Sequence, residues 1–199
     1  HLFTGRDGKP MGFYDAAIGG RAVGTPGVLR LLERLHSHEG RLPWRDVLSP
    51  AIHMAEEGFS VSPRLSRMVR EEKGRLDRYT GTRLYFYPDV VTPVQPYSRL
   101  QNPKYADSLR RIALDGADGF YTGPLAEDIV KTVREARGNP GLLSLEDLSG
   151  YTAKERKPVC GPYRGYTVCS MGEPSSGGLT LLSALGMLER FDLRASGPR

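Results

Sequence analysis

Cysteine is scarce in this 199-residue chain: there are two, Cys160 and Cys169, and neither has the spacing of a zinc ligand. Histidine is scarce too. His36, His38 and His53 lack partner ligands in sequence, and His36 and His38, two apart, fall on different faces of a helix. No G-x-S-x-G elbow is present, so a Ser-His-Asp arrangement, which composition alone leaves open, has no marker. Long hydrophobic runs are missing: the longest apolar stretch, Leu179 to Leu188, is too short to cross a bilayer and contains Ser183 and Gly186. Residue 1 opens no signal-peptide pattern, because His1-Leu2-Phe3-Thr4-Gly5-Arg6 is polar and turn-like. Blocks of like charge are missing as well. A formal charge of +5 and a pI near 9.3 suit an anionic partner, yet acidic and basic residues are interleaved and no nucleic-acid arm emerges.

What is present is an ordinary soluble composition, 39% hydrophobic and 26% charged, long enough for a real core. Twenty-four glycines and 15 prolines imply many turns and caps. After a turn region over 1–22, Thr25 and Pro26 predict an N-cap and first helical residue, with Val28, Leu31, Leu32 and Leu35 on one face and Gly40 as the stop. A second helix over 44–57 turns Val47, Leu48, Ala51, Ile52 and Ala55 inward. Pro50 inside it predicts a kink or break with Ser49 as a second cap. Ser62-Pro63 caps a helix expected over 63–78, with Leu65, Met68, Val69 and Leu76 on one side. Leu84-Tyr85-Phe86-Tyr87-Pro88 reads as a short strand-like segment. Helices follow over 103–115, capped by Asn102-Pro103, and 124–137, separated by Asp115–Gly123 as a linker with aromatic anchors. Ser144 and Asp147 resemble a capping box, which explains the carboxylates of Glu146 and Asp147 without acid–base chemistry.

The helix at 63–78 carries Arg64, Arg67, Arg70, Lys73, Arg75 and Arg78 on its other face. A phosphate-tracking surface would look like this. Glu71, Glu72 and Asp77 interrupt the stripe and no aromatics interleave to stack on bases, so it is read as solvated surface.

The last third is the organising stretch: a hairpin at roughly 152–171, the loop Pro174-Ser175-Ser176-Gly177-Gly178, and an apolar helix over 179–190 that suits a largely buried position. A turn at Arg164-Gly165 sets Cys160 against Cys169 and makes a cross-strand disulfide conceivable. A turn at Tyr163-Arg164 sets Cys160 against Thr167 and forbids it. Two buried free thiols are the expectation between these registers.

Four strings in order make the chain resemble the γ-glutamyltranspeptidase family: GGRAVGTPG, LPWRDVLSPAIHMAEEGFSVS, GADGFYTG leading to GLLSLEDLSGY, and PYRGYTV–Met–PSSGG closing in LERFDL. The resemblance runs from about Val23 to Leu193. It implies a mostly helical α+β segment of an N-terminal-nucleophile hydrolase, one fragment of the large subunit comprising a turn region (1–22), a helical region (23–150) and a hairpin plus helix (151–193). In that family a precursor cuts itself, and the freed Thr of the small subunit attacks a γ-glutamyl amide such as glutathione with its own amine as base. No metal or organic cofactor is implied, nor a nucleic-acid partner. The place implied is periplasmic or extracellular. The nucleophile and the carboxylate-gripping Arg are expected outside these limits, so no catalytic residue is assigned here and the isolated segment is expected to be inactive. Surfaces that pack on the small subunit are expected to be apolar and exposed. Ser175 and Ser176 are the substrate-side candidates, with a purely structural loop as the favoured reading. A related acylase, a poly-γ-glutamate enzyme or a helical interaction module are the alternatives.

Overall fold

A computed structural model describes residues 2–5, 7–193 and 197. Helices dominate. The order is α1 (Phe13–Ala17), α2 (Val28–Glu39), α3 (Trp44–Glu57), β1 (Phe59–Ser60), α4 (Pro63–Glu71), α5 (Lys73–Leu76), α6 (Thr80–Phe86) and β2 (Arg99–Leu100). Then come α7 (Pro103–Asp115), α8 (Asp118–Tyr121), α9 (Gly123–Arg134), α10 (Leu145–Ser149), β3 (Val159–Tyr163), β4 (Tyr166–Ser170) and α11 (Gly177–Leu188). The chain divides into two units, 1–153 and 154–199.

In the first unit the locally capped helices form where the sequence places them. Ser62 Oγ accepts from Leu65 N at 3.1 Å, and Asn102 Oδ1 accepts from Tyr105 N at 3.1 Å. Ser144 and Asp147 close a full capping box, with Asp147 N donating to Ser144 Oγ (3.1 Å) and Ser144 N to Asp147 Oδ2 (2.9 Å). Each such cap contributes about 1 kcal/mol. Helix α3 lies along α7, where Trp44 Nε1 donates to Ile112 O at 2.9 Å and Arg110 pairs with Glu56.

Five expectations are corrected. Pro50 does not break α3, which runs unbroken over 44–57. Pro50 and Asp46, the residue whose carbonyl loses its helical partner, are both exposed, so water can take the place of the missing donor. Helix α2 starts at Val28 behind Gly27, not at Pro26 behind Thr25, and Gly27 offers no side-chain cap. The cap arrives from a distant residue: Arg30 N donates to Tyr121 Oη at 3.4 Å, while that hydroxyl donates to Pro26 O. The expected strand at Leu84–Pro88 is the end of helix α6, and the expected helix at 63–78 is two helices separated at Glu72. The expected linker at 115–123 holds helix α8, with Gly119 and Tyr121 buried.

Two clusters form the core of this unit. One gathers Ala117, Tyr121, Ala126, Val130, Val133, Leu143 and Leu148 from α8, α9, α10 and their connections. The other gathers Val61, Val69, Tyr87, Val94 and Leu100 around the two-residue ladder of β1 and β2, which pairs Phe59 with Leu100 and Ser60 with Arg99. Tyr87 decides the shape of its region. Fully buried, it donates its hydroxyl to Val69 O, which holds α6 against α4 and overrides the strand preference of the aromatic run.

Burial raises the phenol pKa of both Tyr87 and Tyr121; the nearby Asp77 carboxylate adds to the effect at Tyr87, and Arg30 opposes it at Tyr121. A folded pKa above the unfolded value of about 10 gives stability that is complete below that value and is lost as pH rises through the folded one. The urea midpoint of the chain is therefore expected to fall from about pH 10 upward, and Tyr87→Phe to flatten part of that fall. Tyrosinate absorbance that develops fully near pH 10 while the midpoint stays constant would contradict this assignment.

Candidate functional site

The second unit carries the loop that holds the candidate serines. Strands β3 and β4 form an antiparallel hairpin in which Tyr163 pairs with Tyr166, so Arg164-Gly165 is the turn. Both turn residues have positive φ, 48° and 84°, the pattern of a two-residue hairpin loop. Cys160 then faces Cys169, and the two are joined by a disulfide with Cα atoms 4.1 Å apart. The expected pair of buried free thiols is therefore corrected on both counts: the cysteines are bonded, and both are exposed. Alternation explains the exposure. Val159, Gly161 and Tyr163 turn toward the half-buried side, where Gly161 lies against Leu182 of α11, leaving Cys160 and Pro162 on the outer face.

Beyond β4 the chain makes a tight closure. Ser175 N donates to Gly172 O at 3.1 Å, Gly177 N donates to Ser175 Oγ at 3.3 Å, and Thr180 N donates to Ser176 O at 2.9 Å as α11 begins. The serines are thus unlike each other. Ser175 Oγ serves the turn itself, whereas Ser176 Oγ makes no capping bond and is exposed. The first turn of α11 also leaves N–H groups without helical partners. Helix α11 itself is not the largely buried element expected. Leu182 and Leu185 are half-buried, while Leu179, Leu181, Met187 and Leu188 are exposed.

Within this loop hydroxyls and N–H groups are available for an oxyanion or acyl oxygen, and no histidine lies in it. Glu173 is the only ionisable side chain from Gly172 to Gly178. The three described histidines belong to the first unit and are engaged locally: His36 Nε2 with Leu42 O at 2.8 Å, His38 Nδ1 with Arg34 O at 2.8 Å, and His53 with Glu57 at 3.8 Å. Among the described residues no three His, Cys, Asp or Glu side chains converge as a metal site, and no helix is long and apolar enough to cross a membrane. Three of the six basic residues from Arg64 to Arg78 have acidic partners within the chain. Arg67 meets Glu71 at 4.0 Å, Arg75 meets Glu72 at 2.6 Å and stacks over Tyr14, and Arg78 meets Asp15 at 3.5 Å.

Two polar joints in the first unit give the glycine-rich strings their structural meaning. Asn139, nearly buried, accepts from Arg21 Nε at 2.8 Å, donates its amide to Asp15 O and Ile18 O, and receives Gly20 N on its own carbonyl at 2.8 Å. The sequence reading passed over Asn139; its only signal is an Asn-Pro-Gly following a helix stop. The second joint surrounds Arg30, which pairs with Asp118 at 2.6 Å and Glu33 at 3.2 Å, while Glu33 Oε1 accepts from Ala117 N at 2.7 Å. Beside it lies an open cleft of about 560 Å³ bordered by Arg30, Arg34, Ser149 and Tyr151. Arg30, Glu33 and the neighbouring Leu29 and His36 form one face of α2, so that face is spent inside the unit. The apolar stripe Val28, Leu31, Leu32 and Leu35 is exposed.

The family model described as Gamma-glutamyltranspeptidase matches residues 1–199. The chain belongs to the γ-glutamyltranspeptidase family. Relatives within it include a "Glutathione hydrolase proenzyme" of Arthroderma benhamiae, 42% identical over 176 residues, which cover 87% of this chain and 29% of that protein. An "Acylase ACY 1 proenzyme" of a Pseudomonas species is 36% identical over 90% of this chain and 32% of its own length. The crystal structure of Helicobacter pylori γ-glutamyltranspeptidase superposes with a TM-score of 0.90 at 33% identity, covering 98% of this chain and 55% of that one. The chain thus spans about a third or less of the two curated relatives. As a family segment it has the expected class, mostly helical α+β, a partial N-terminal-nucleophile hydrolase fold.

Proposed function

We propose that this chain is part of the large subunit of a γ-glutamyltransferase whose parent hydrolyses or transfers the γ-glutamyl group of glutathione-like amides. The observation that carries this reading is the family match along the whole chain together with a fold at TM-score 0.90 to a γ-glutamyltranspeptidase. In this reading the nucleophile is the freed amino-terminal Thr of the small subunit, contributed from outside these residues. Its α-amine removes the hydroxyl proton as it attacks the amide carbonyl, and an acyl-enzyme then passes to water or to an amino group. Backbone donors stabilise the tetrahedral oxyanion. The exposed stripe of α2 and the exposed leucines of α11 are surfaces for the remainder of the precursor, an assignment supported by their apolar character. An exposed disulfide supports an oxidising compartment, periplasmic or extracellular.

Of the two candidate serines, this reading assigns Ser176 to the substrate side and Ser175 to the turn, a division supported by the bond of Ser175 Oγ to Gly177 N and the missing cap bond at Ser176 Oγ. The relative named as an acylase supports a second reading, an acylase of the same family, for which an acyl β-lactam is the test substrate. One experiment tests both. The parent precursor is expected to split into two chains and release product from a chromogenic γ-glutamyl anilide, whereas the 199-residue chain alone gives no release above buffer. In the parent, Ser176→Ala is expected to raise KM several-fold with the urea midpoint unchanged. Turnover by the isolated chain that vanishes in the Ser175→Ala/Ser176→Ala variant would overturn the assignment, and a parent that cleaves only an acyl β-lactam would establish the acylase.

A further inference from the structure

We propose that the Cys160–Cys169 disulfide is a redox-controlled clamp that sets the shape of the loop from Met171 to Gly178; its effect on catalysis rests on the placement of Ser176 proposed above. Four observations carry it. First, the bond spans directly opposed residues of a hairpin only five residues long on each strand. A two-stranded ribbon of that size is marginal on its own, so a covalent tie has a large share in holding its strands in register.

Second, the neighbour of Cys160 is the loop's anchor. Val159 pairs with Ser170, the last rung of the ladder before the loop. Its two methyl groups close on the glycines at either end: a Cβ on Gly172 would lie 3.3 Å from Val159 Cγ1, and one on Gly178 would lie 3.0 Å from Val159 Cγ2. Third, the loop closes on itself at the same point, since a Cβ on Gly178 would lie 2.1 Å from Met171 O. Both ends of the loop therefore rest on one residue of β3, and β3 is tied to β4 one residue further along. If β3 moves away from β4, the support leaves both loop ends at once.

Fourth, the disulfide faces outward. Both cysteines are exposed, on the side of the hairpin opposite Val159, Gly161 and α11. Within this chain a dithiol reaches either sulfur without opening the hairpin, and exposure is one of the properties that make a disulfide exchangeable. The exchange balances without any other reagent. A thiolate of the dithiol attacks one sulfur and forms a mixed disulfide as the other cysteine leaves as thiolate. The second thiol of the reagent then displaces the first cysteine. The dithiol ends as a disulfide, and Cys160 and Cys169 end as two thiols.

The test uses the processed parent enzyme, oxidised and then treated with a small dithiol under native conditions. Thiol titration is expected to reveal two thiols from these positions, and amide hydrogen exchange at 171–178 to accelerate on the order of tenfold while exchange in the core of the first unit stays constant. Reoxidation is expected to restore slow exchange, and Cys160→Ser/Cys169→Ser to match the reduced enzyme without any reagent. KM is expected to rise several-fold on reduction. Resistance of the bond to dithiol in the native enzyme, or unchanged exchange at 171–178 after reduction, overturns the clamp. Faster exchange with KM unchanged supports the clamp and overturns the placement of Ser176 instead. If the double variant does not fold, the reversible reduction of the unmodified enzyme still decides the matter.

Discussion

Gly20→Ala is expected to destabilise the first unit by about 2–6 kcal/mol, enough at the upper end to leave a marginal domain largely unfolded. A Cβ at this position would stand 1.9 Å from Val133 O and 2.6 Å from Gly141 N. Those atoms are themselves bonded, Gly141 N donating to Val133 O at 2.9 Å, and Gly20 N donates to Asn139 O at 2.8 Å. Gly141 is constrained in return, because its own Cβ would lie 2.1 Å from Gly20 O. Three backbones meet with no flexible side chain between them that could yield, so a methyl group must separate them. Overpacking costs about 1–3 kcal/mol, and stranding buried N–H and C=O groups adds about 1–3 kcal/mol more. Gly24 is the control. Nothing lies within 4 Å of its would-be Cβ, and its alanine variant is expected to change stability by less than about 1 kcal/mol. Equal urea midpoints for the two variants would refute the close-contact account.

What the sequence disclosed and what it hid divide along a physical line. Ser62, Asn102 and the Ser144–Asp147 box were legible because a cap needs only residues three apart. The start of α2 was not legible from Thr25 and Pro26, because its cap is the hydroxyl of Tyr121, some ninety residues away. Leu84–Tyr87 carried a strand-like composition, and only the buried bond from Tyr87 to Val69 O shows why the segment coils. Periodicity marked the stripe Val28, Leu31, Leu32 and Leu35 correctly as one face. It could not tell that the opposite face, with Arg30 and Glu33, is the one used inside the unit. The cysteines depended on the place of the turn: moved by one residue it shifts the partner of Cys160 by two, and the positive φ values of Arg164 and Gly165, not composition, decide it. For the candidate site, the loop was visible as a string of small residues, while the different bonding of Ser175 and Ser176 required coordinates.

The second large effect is expected at Tyr121, where Tyr121→Ala should cost about 4 kcal/mol and Tyr121→Phe about 1–2 kcal/mol. The ring is fully buried in the cluster with Ala117, Ala126, Val130, Val133, Leu143 and Leu148, so truncation opens a cavity that helices α8, α9 and α10 cannot readily close. The ring also lies parallel to Tyr151 with centroids 6.0 Å apart, and the Arg30 guanidinium sits 4.5 Å above it. Phenylalanine keeps all of that and removes only the hydroxyl. What it strands is specific: Arg30 N in the first turn of α2, and the carbonyl of Pro26 just before it. The loss at Tyr121→Phe should therefore appear as fraying of α2, with faster hydrogen exchange near Val28–Leu31 while α9 stays protected. Tyr121→Ala should loosen α9 and α10 as well, since their packing surface is gone. A phenylalanine variant that exchanges uniformly faster across the whole unit would mean that the hydroxyl is a core contact and not the distant cap of α2.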